Sequence, residues 1–126
     1  MAQQLIMVID DSVSLREVVG IALRSAGYDV IEACDGKDAL DKLHALDGRR
    51  MRLIICDVNM PVMDGISFVK QMKQLPEHRF IPIIMLTTES RESRKLEGQL
   101  AGAKAWVVKP FRPNQLLRAV AKLILP

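Results

Sequence analysis

The sequence predicts an open α/β fold, a parallel β-sheet with helices on both faces built from five strand–helix units. Three observations predict it. Four short apolar runs, Leu5–Ile9, Leu53–Cys56, Ile83–Leu86 and Trp106–Val108, lack polar alternation, the pattern of strands buried on both faces. Between them lie stretches of helical length, most of them opened by capping residues and the first stopped at Gly27. The runs also end in residues of one chemical character: Asp10-Asp11, Asp57, Thr87-Thr88 and Lys109-Pro110. In parallel sheets ligands bind outside the carboxyl ends of the strands. Three carboxylates, two hydroxyls and one ammonium are therefore expected on one rim.

The elements follow in order. After strand one, a helix near 13–26 is capped by Ser12 or by Ser14, the latter with Glu17 as a capping box, and stops at Gly27. Asp29–Ala33 forms a short second strand and 37–46 a second helix. Arg49-Arg50-Met51-Arg52 leads into strand three as a solvated basic turn. Asp64 caps a third helix that runs to about 73. Ser90 opens a fourth helix whose apolar stripe is only Leu96, Leu100 and Ala101. Gly98 lies inside it, at roughly 1 kcal/mol relative to Ala, so this helix is expected to be lightly anchored and a moving part. Pro113-Asn114 begins a fifth helix that runs to about 124.

Composition narrows the classes. A chain of 126 residues is expected to be one domain with its own core. Although 49% of it is hydrophobic, no run reaches the roughly eighteen apolar residues of a membrane span. Met-Ala-Gln-Gln at the start lacks the features of a secretory signal, and a cytoplasmic protein is expected. Cys34 and Cys56 read as free thiols, Cys56 as a small core residue. The net charge of +3 is unevenly spread. Residues 1–89 carry 10 basic and 13 acidic groups, and residues 90–126 carry 8 and 2. The basic end, with Arg91, Arg94, Lys95, Lys104, Arg112, Arg118 and Lys122, suits a partner with an acidic docking segment. Nucleic acid is not expected, because no recognition motif or basic tail accompanies the charge.

The strand-end residues suggest one chemistry. Three crowded carboxylates need a counter-charge, and an all-oxygen cluster suits Mg2+. A carboxylate can act as a nucleophile toward phosphorus and form an aspartyl phosphate. Metal, Lys ammonium and Thr hydroxyl would each hold one oxygen of the transferring group. Phosphoryl transfer onto an Asp fits these residue types better than sugar or ester hydrolysis does.

The stretches VIDDS at 8–12, CDVNMPVMDG at 56–65, MLTTES at 85–90 and WVVKPF at 106–111 resemble the receiver domains of two-component response regulators. Of these, the chemotaxis regulator CheY is the single-domain type. The resemblance covers residues 1–126 as one receiver without an output domain. It implies a flavodoxin-like (βα)5 fold with strand order 2-1-3-4-5. Asp57 is then the phosphoacceptor, and Asp10, Asp11, Asp57 and the backbone carbonyl of Asn59 hold Mg2+. Thr87 and Lys109 contact the phosphoryl group, and Lys109-Pro110 is a cis peptide. Asn59 and Glu89 tune dephosphorylation. Trp106 takes the place of the switching aromatic, where Tyr, Phe or smaller residues are more usual, which leaves its rotamer switch open.

The implied protein is not a classical enzyme. It catalyses its own phosphorylation and slow dephosphorylation, taking the phosphoryl group from a sensor histidine kinase of the CheA type or from a histidine phosphotransfer protein. Its output runs through the helix 4–strand 5–helix 5 face to a flagellar motor switch or another acidic segment, and a monomer suffices. A phosphorelay intermediate or phosphate sink is the alternative. A haloacid-dehalogenase-like phosphohydrolase is disfavoured because its second Asp is Asn59 here. A non-phosphorylatable binding module or flavin carrier is disfavoured by the intact site and by the lack of a Gly-rich loop after strand one.

Overall fold

The computed structural model describes residues 3–88 and 101–124. Strands β1 (Leu5–Ile9), β2 (Asp29–Ala33), β3 (Met51–Asp57), β4 (Ile83–Thr87) and β5 (Ala105–Val108) form one sheet. All its pairings are parallel and its order is β2-β1-β3-β4-β5, the expected flavodoxin-like arrangement. Four helices lie within the described residues: α1 (Val13–Ser25), α2 (Gly36–His44), α3 (Gly65–Met72) and α4 (Pro113–Leu123). Of the five helices expected, the one at 90–101 falls almost wholly outside the described residues, as do Glu89, Arg91, Arg94 and Lys95.

The two-residue period of a strand sends alternate side chains to opposite faces, and β1 shows the result. Leu5, Met7 and Ile9 pack with Ala39 and Leu43 of α2 and with Phe68 and Met72 of α3. Ile6 and Val8 pack with Val19 and Leu23 of α1 and with Leu116 and Val120 of α4. All five β1 residues are buried, so the strand needs apolar residues at every position. That is why the runs show no alternation.

Three of the four helix starts among the described residues are settled by side-chain oxygens, and α4 starts instead at Pro113. Ser12 caps α1 by accepting from the Leu15 amide at 3.2 Å, so Ser12 is the cap and Ser14 is not. Asp35 accepts from Asp38 and Asp64 from Ser67, each at 2.8 Å, starting α2 at Gly36 rather than at 37. Gly27, with φ of 95°, ends α1 in the left-handed turn that glycine favours. β3 begins at Met51, earlier than the apolar run suggests, because Met51 is buried and pairs with Leu5. The basic turn is thereby shortened to Arg49-Arg50, where Arg49 meets Asp29 across exposed surface at 2.8 Å.

No helix among the described residues is long and apolar enough to cross a membrane. A cavity of about 540 Å³ opens at the amino ends of the strands, lined by His44, Arg49, Arg50, Arg52, His78 and Phe80 among others. None of the strand-end residues singled out above lines it.

Candidate functional site

The carboxyl ends of β1, β3, β4 and β5 bring the chemical residues together. Asp10 follows β1, Asp57 ends β3, Thr87 ends β4 and Lys109 follows β5. Asp10, Asp57 and Thr87 are buried to 1%, 6% and 0% exposure, whereas Asp11 is exposed. Carboxylate oxygens of Asp10, Asp11 and Asp57 all lie within 4.8 Å of one another. Lys109 reaches across from the far strand. Its ammonium donates to Asp10 Oδ2 at 3.0 Å and stands 3.3 Å from Asp57 Oδ1.

The backbone holds these groups in register. The Lys109 amide donates to the Thr87 carbonyl at 2.8 Å, and the Val58 amide donates to the Leu86 carbonyl at 3.0 Å. These bonds continue the ladders past the last strand residues, so Asp57 and Lys109 leave the sheet at fixed heights. The Lys109–Pro110 peptide is cis. Asp10 is held by the Ser12 amide on Oδ1 at 2.9 Å, and its own carbonyl accepts from the Arg16 guanidinium at 2.6 Å. Arg16 is itself paired with Glu32 at 3.2 Å.

The electrostatics follow from this crowding. Burial pushes the Asp57 carboxyl above its ordinary pKa, and the charge of Asp10 pushes it further, while Lys109 pulls part of that back. For Lys109, burial works against the charged form. The hydrogen bond to Asp10 and the charge of Asp57 outweigh it and raise its pKa. Behind the site, burial lifts the Cys56 thiol well above its usual value, with the Asp57 charge adding to it. Cys56 is fully buried and is a core residue, not a reactive one.

The donor set fits a hard divalent cation. Three carboxylates on an all-oxygen rim offer Mg2+ the ligands it prefers, and the Lys109 ammonium beside Asp10 and Asp57 offsets only part of their charge. Asn59, two residues past Asp57, is exposed. Trp106 is half-buried against the α2–α3 side of the sheet. Its indole nitrogen is buried and has no hydrogen-bond partner among the described residues. Glu89 lies outside the described residues.

Two further residues shape the site, and one of them has a sequence signal. A Cβ on Gly65 would stand 2.1 Å from the Asp57 carbonyl oxygen, and the Gly65 amide donates to Val58 O at 2.8 Å. Only glycine allows α3 to start so close to the Asp57 backbone, and the Asp-Gly pair at a helix start hints at it. Arg16 has no such signal, because its role rests on the direction of one helix face.

The chain matches the family model of the response regulator receiver domain over residues 6–121. It belongs to that family. Chemotaxis protein CheY1 of Helicobacter pylori is 36% identical over 121 residues, 95% of each chain. The structure of the Vibrio cholerae chemotaxis protein CheY4 superposes with a TM-score of 0.90 at 43% identity, covering 97% of this chain and 99% of that one. The receiver domain of the Pseudomonas aeruginosa sensor histidine kinase PA1611, solved with a magnesium ion coordinated in its active-site cleft, has a TM-score of 0.84 at 28% identity and covers 98% of both chains. This receiver is CheY-like in fold.

Proposed function

We propose that this receiver is a phospho-accepting switch in which Asp57 takes a phosphoryl group from a phosphohistidine. The observation that carries the reading is the position of Lys109, 3.0 Å from Asp10 and 3.3 Å from Asp57, in a cluster of three carboxylates. A nucleophile hemmed in by like charges needs that charge offset before an anionic donor approaches. Lys109 supplies part of the offset. Asp10, Asp11 and Asp57, with the Asn59 carbonyl, would hold Mg2+, which supplies further positive charge on the transferring oxygens.

In the transfer, an Asp57 carboxylate oxygen bonds to phosphorus as the P–N bond to the donor imidazole breaks, and the electron pair returns to the imidazole nitrogen. Lys109 faces the incoming phosphoryl oxygens, and Thr87, buried at the end of β4, supplies a hydroxyl near another. The modification replaces one negative charge by about −1.5 to −2. Driving a two-state equilibrium from 1:99 to 99:1 takes about 5.5 kcal/mol of differential stabilisation, which several charge-assisted bonds can provide. Trp106 on β5 is the reporter of that change, and the exposed cations Lys104, Arg112, Arg118 and Lys122 supply the output surface. The names of the CheY relatives favour a chemotaxis output through an acidic segment of a motor component.

The test is intact mass and Trp106 fluorescence during titration with Mg2+ and then acetyl phosphate. One added phosphoryl group that is absent from Asp57→Asn, with a fluorescence change, is the expected result. No mass shift and no Mg2+ response would sink the reading.

A further inference from the structure

The loop from Asp57 to α3 carries a residue that the phosphoacceptor chemistry does not use. Val62 has a backbone φ of 68°, in the left-handed region where a β-branched side chain is a genuine outlier. The Met63 amide donates to the Pro61 carbonyl at 2.7 Å, closing a three-residue turn around Val62. Turns of this hand are rare and strained. Both sides of the turn are pinned. The Met63 carbonyl accepts from the Gly36 amide at 3.3 Å, and the next residue, Asp64, caps α3 through Ser67. The turn therefore presents its tip rigidly, and the tip is an apolar side chain 80% exposed. Glycine or asparagine would sit in this backbone without strain. A strained apolar residue held out into water calls for a function.

Resting on the phosphoacceptor reading above, we propose that Val62 is a docking residue for the protein that delivers the phosphoryl group and sets which donor is accepted. Access to Asp57 argues for the occupant. Asp57 as a residue is only 6% exposed, so a donor imidazole must press against the rim to bring phosphorus to about 3–3.5 Å from the attacking oxygen. Val62 is five residues on from Asp57, at most ~17 Å of extended chain, and the turn shortens that distance. A protein interface of standard size covers about 800 Å² per partner, a disc of roughly 16 Å radius. A protein donor centred on Asp57 therefore covers Val62, whereas a small phosphodonor entering the opening does not need it. Across the opening, Val13 begins α1 two residues past Asp11 and is 57% exposed, so apolar surface flanks the site on both sides. The rigid turn lowers the ordering cost of docking.

The experiment compares two donors on the same variants. Val62→Gly removes the side chain at a backbone that glycine prefers, and Val62→Asp adds a charge at an exposed tip, so neither touches the core. Rates are measured with Mg2+ and acetyl phosphate, and with a CheA-type histidine kinase autophosphorylated from radiolabelled ATP. The expected result is a rise in KM for the kinase of about fivefold in Val62→Gly and more in Val62→Asp, with kcat and the acetyl phosphate rate within twofold of wild type. Equal transfer from the kinase to wild type and variants overturns the proposal. A parallel fall with both donors also overturns it, because Val62 then shapes the site and not the docking. Wild type that accepts from acetyl phosphate but from no histidine kinase or histidine phosphotransfer protein overturns the docking alone. Wild type that accepts from neither removes the phosphoacceptor reading beneath it.

Discussion

The two ends of the sheet handle charge in opposite ways. At the amino ends, Arg49 meets Asp29 with side chains 50% and 44% exposed, and His78 stands 3.9 Å from an exposed Glu77. The Arg49–Asp29 pair is wet, and His78, itself only 12% exposed, meets a solvated Glu77 at long range, so both pairings contribute little. At the carboxyl ends, Asp10 and Asp57 are buried beside each other with Asp11 at the edge, and the ammonium of Lys109 bridges the buried pair. The contrast teaches where the fold accepts electrostatic strain. A sheet end designed only for stability would resemble the amino end. The carboxyl end retains like charges that work against folding, as a site awaiting a cation and an anionic substrate would.

Changes at the two ends should separate accordingly, the largest effect first. Gly65→Ala drives a methyl group into the Asp57 carbonyl and should lose about 3 kcal/mol of stability in urea unfolding. Gly48→Ala, at the other end with φ of 85° but open space around it, should lose only about 1 kcal/mol. Equal losses would break the comparison. Mg2+ at ten times its dissociation constant should stabilise the protein by about 1.4 kcal/mol, measured as a shift in Tm that a chelator reverses and Asp11→Asn weakens. Arg49→Ala should leave that shift untouched.

Asp57→Asn should stabilise the metal-free protein at neutral pH. The sign follows from its raised pKa. The folded state binds the proton more tightly than the unfolded chain, so stability falls as pH rises from the unfolded value through the folded one and stays lower above it. Asn removes that loss, and the gain should vanish once pH falls below the carboxyl's unfolded pKa. Denaturant midpoints across pH 3–8 check it. The smallest effect is Arg49→Ala itself, within about 0.5 kcal/mol, as expected for an exposed pair.

Much of the fold was legible because burial on both faces leaves a crude imprint. Continuous apolar runs mark β1, β3, β4 and β5, and β2 was placed at Asp29–Ala33 although its burial is only partial. The boundaries were less legible. Met51 joins β3 through its pairing with Leu5, a contact 46 positions away that no local pattern encodes. Either serine was chemically fit to cap α1, and the direction in which the chain leaves Asp10 selected Ser12.

The amino-acid sequence by itself determined which residues end each strand, hence which chemical groups the rim would carry, because the strand period and the parallel sheet leave little freedom. Tertiary structure alone decided how those groups meet. That Lys109 lies between Asp10 and Asp57 follows from the order β1-β3-β4-β5, which brings residues 99 positions apart to 3.0 Å. The need for glycine at 65 and the strained turn at Val62 follow from the close return of the chain past Asp57. These are distances across the fold, set by packing, and one-dimensional spacing does not contain them.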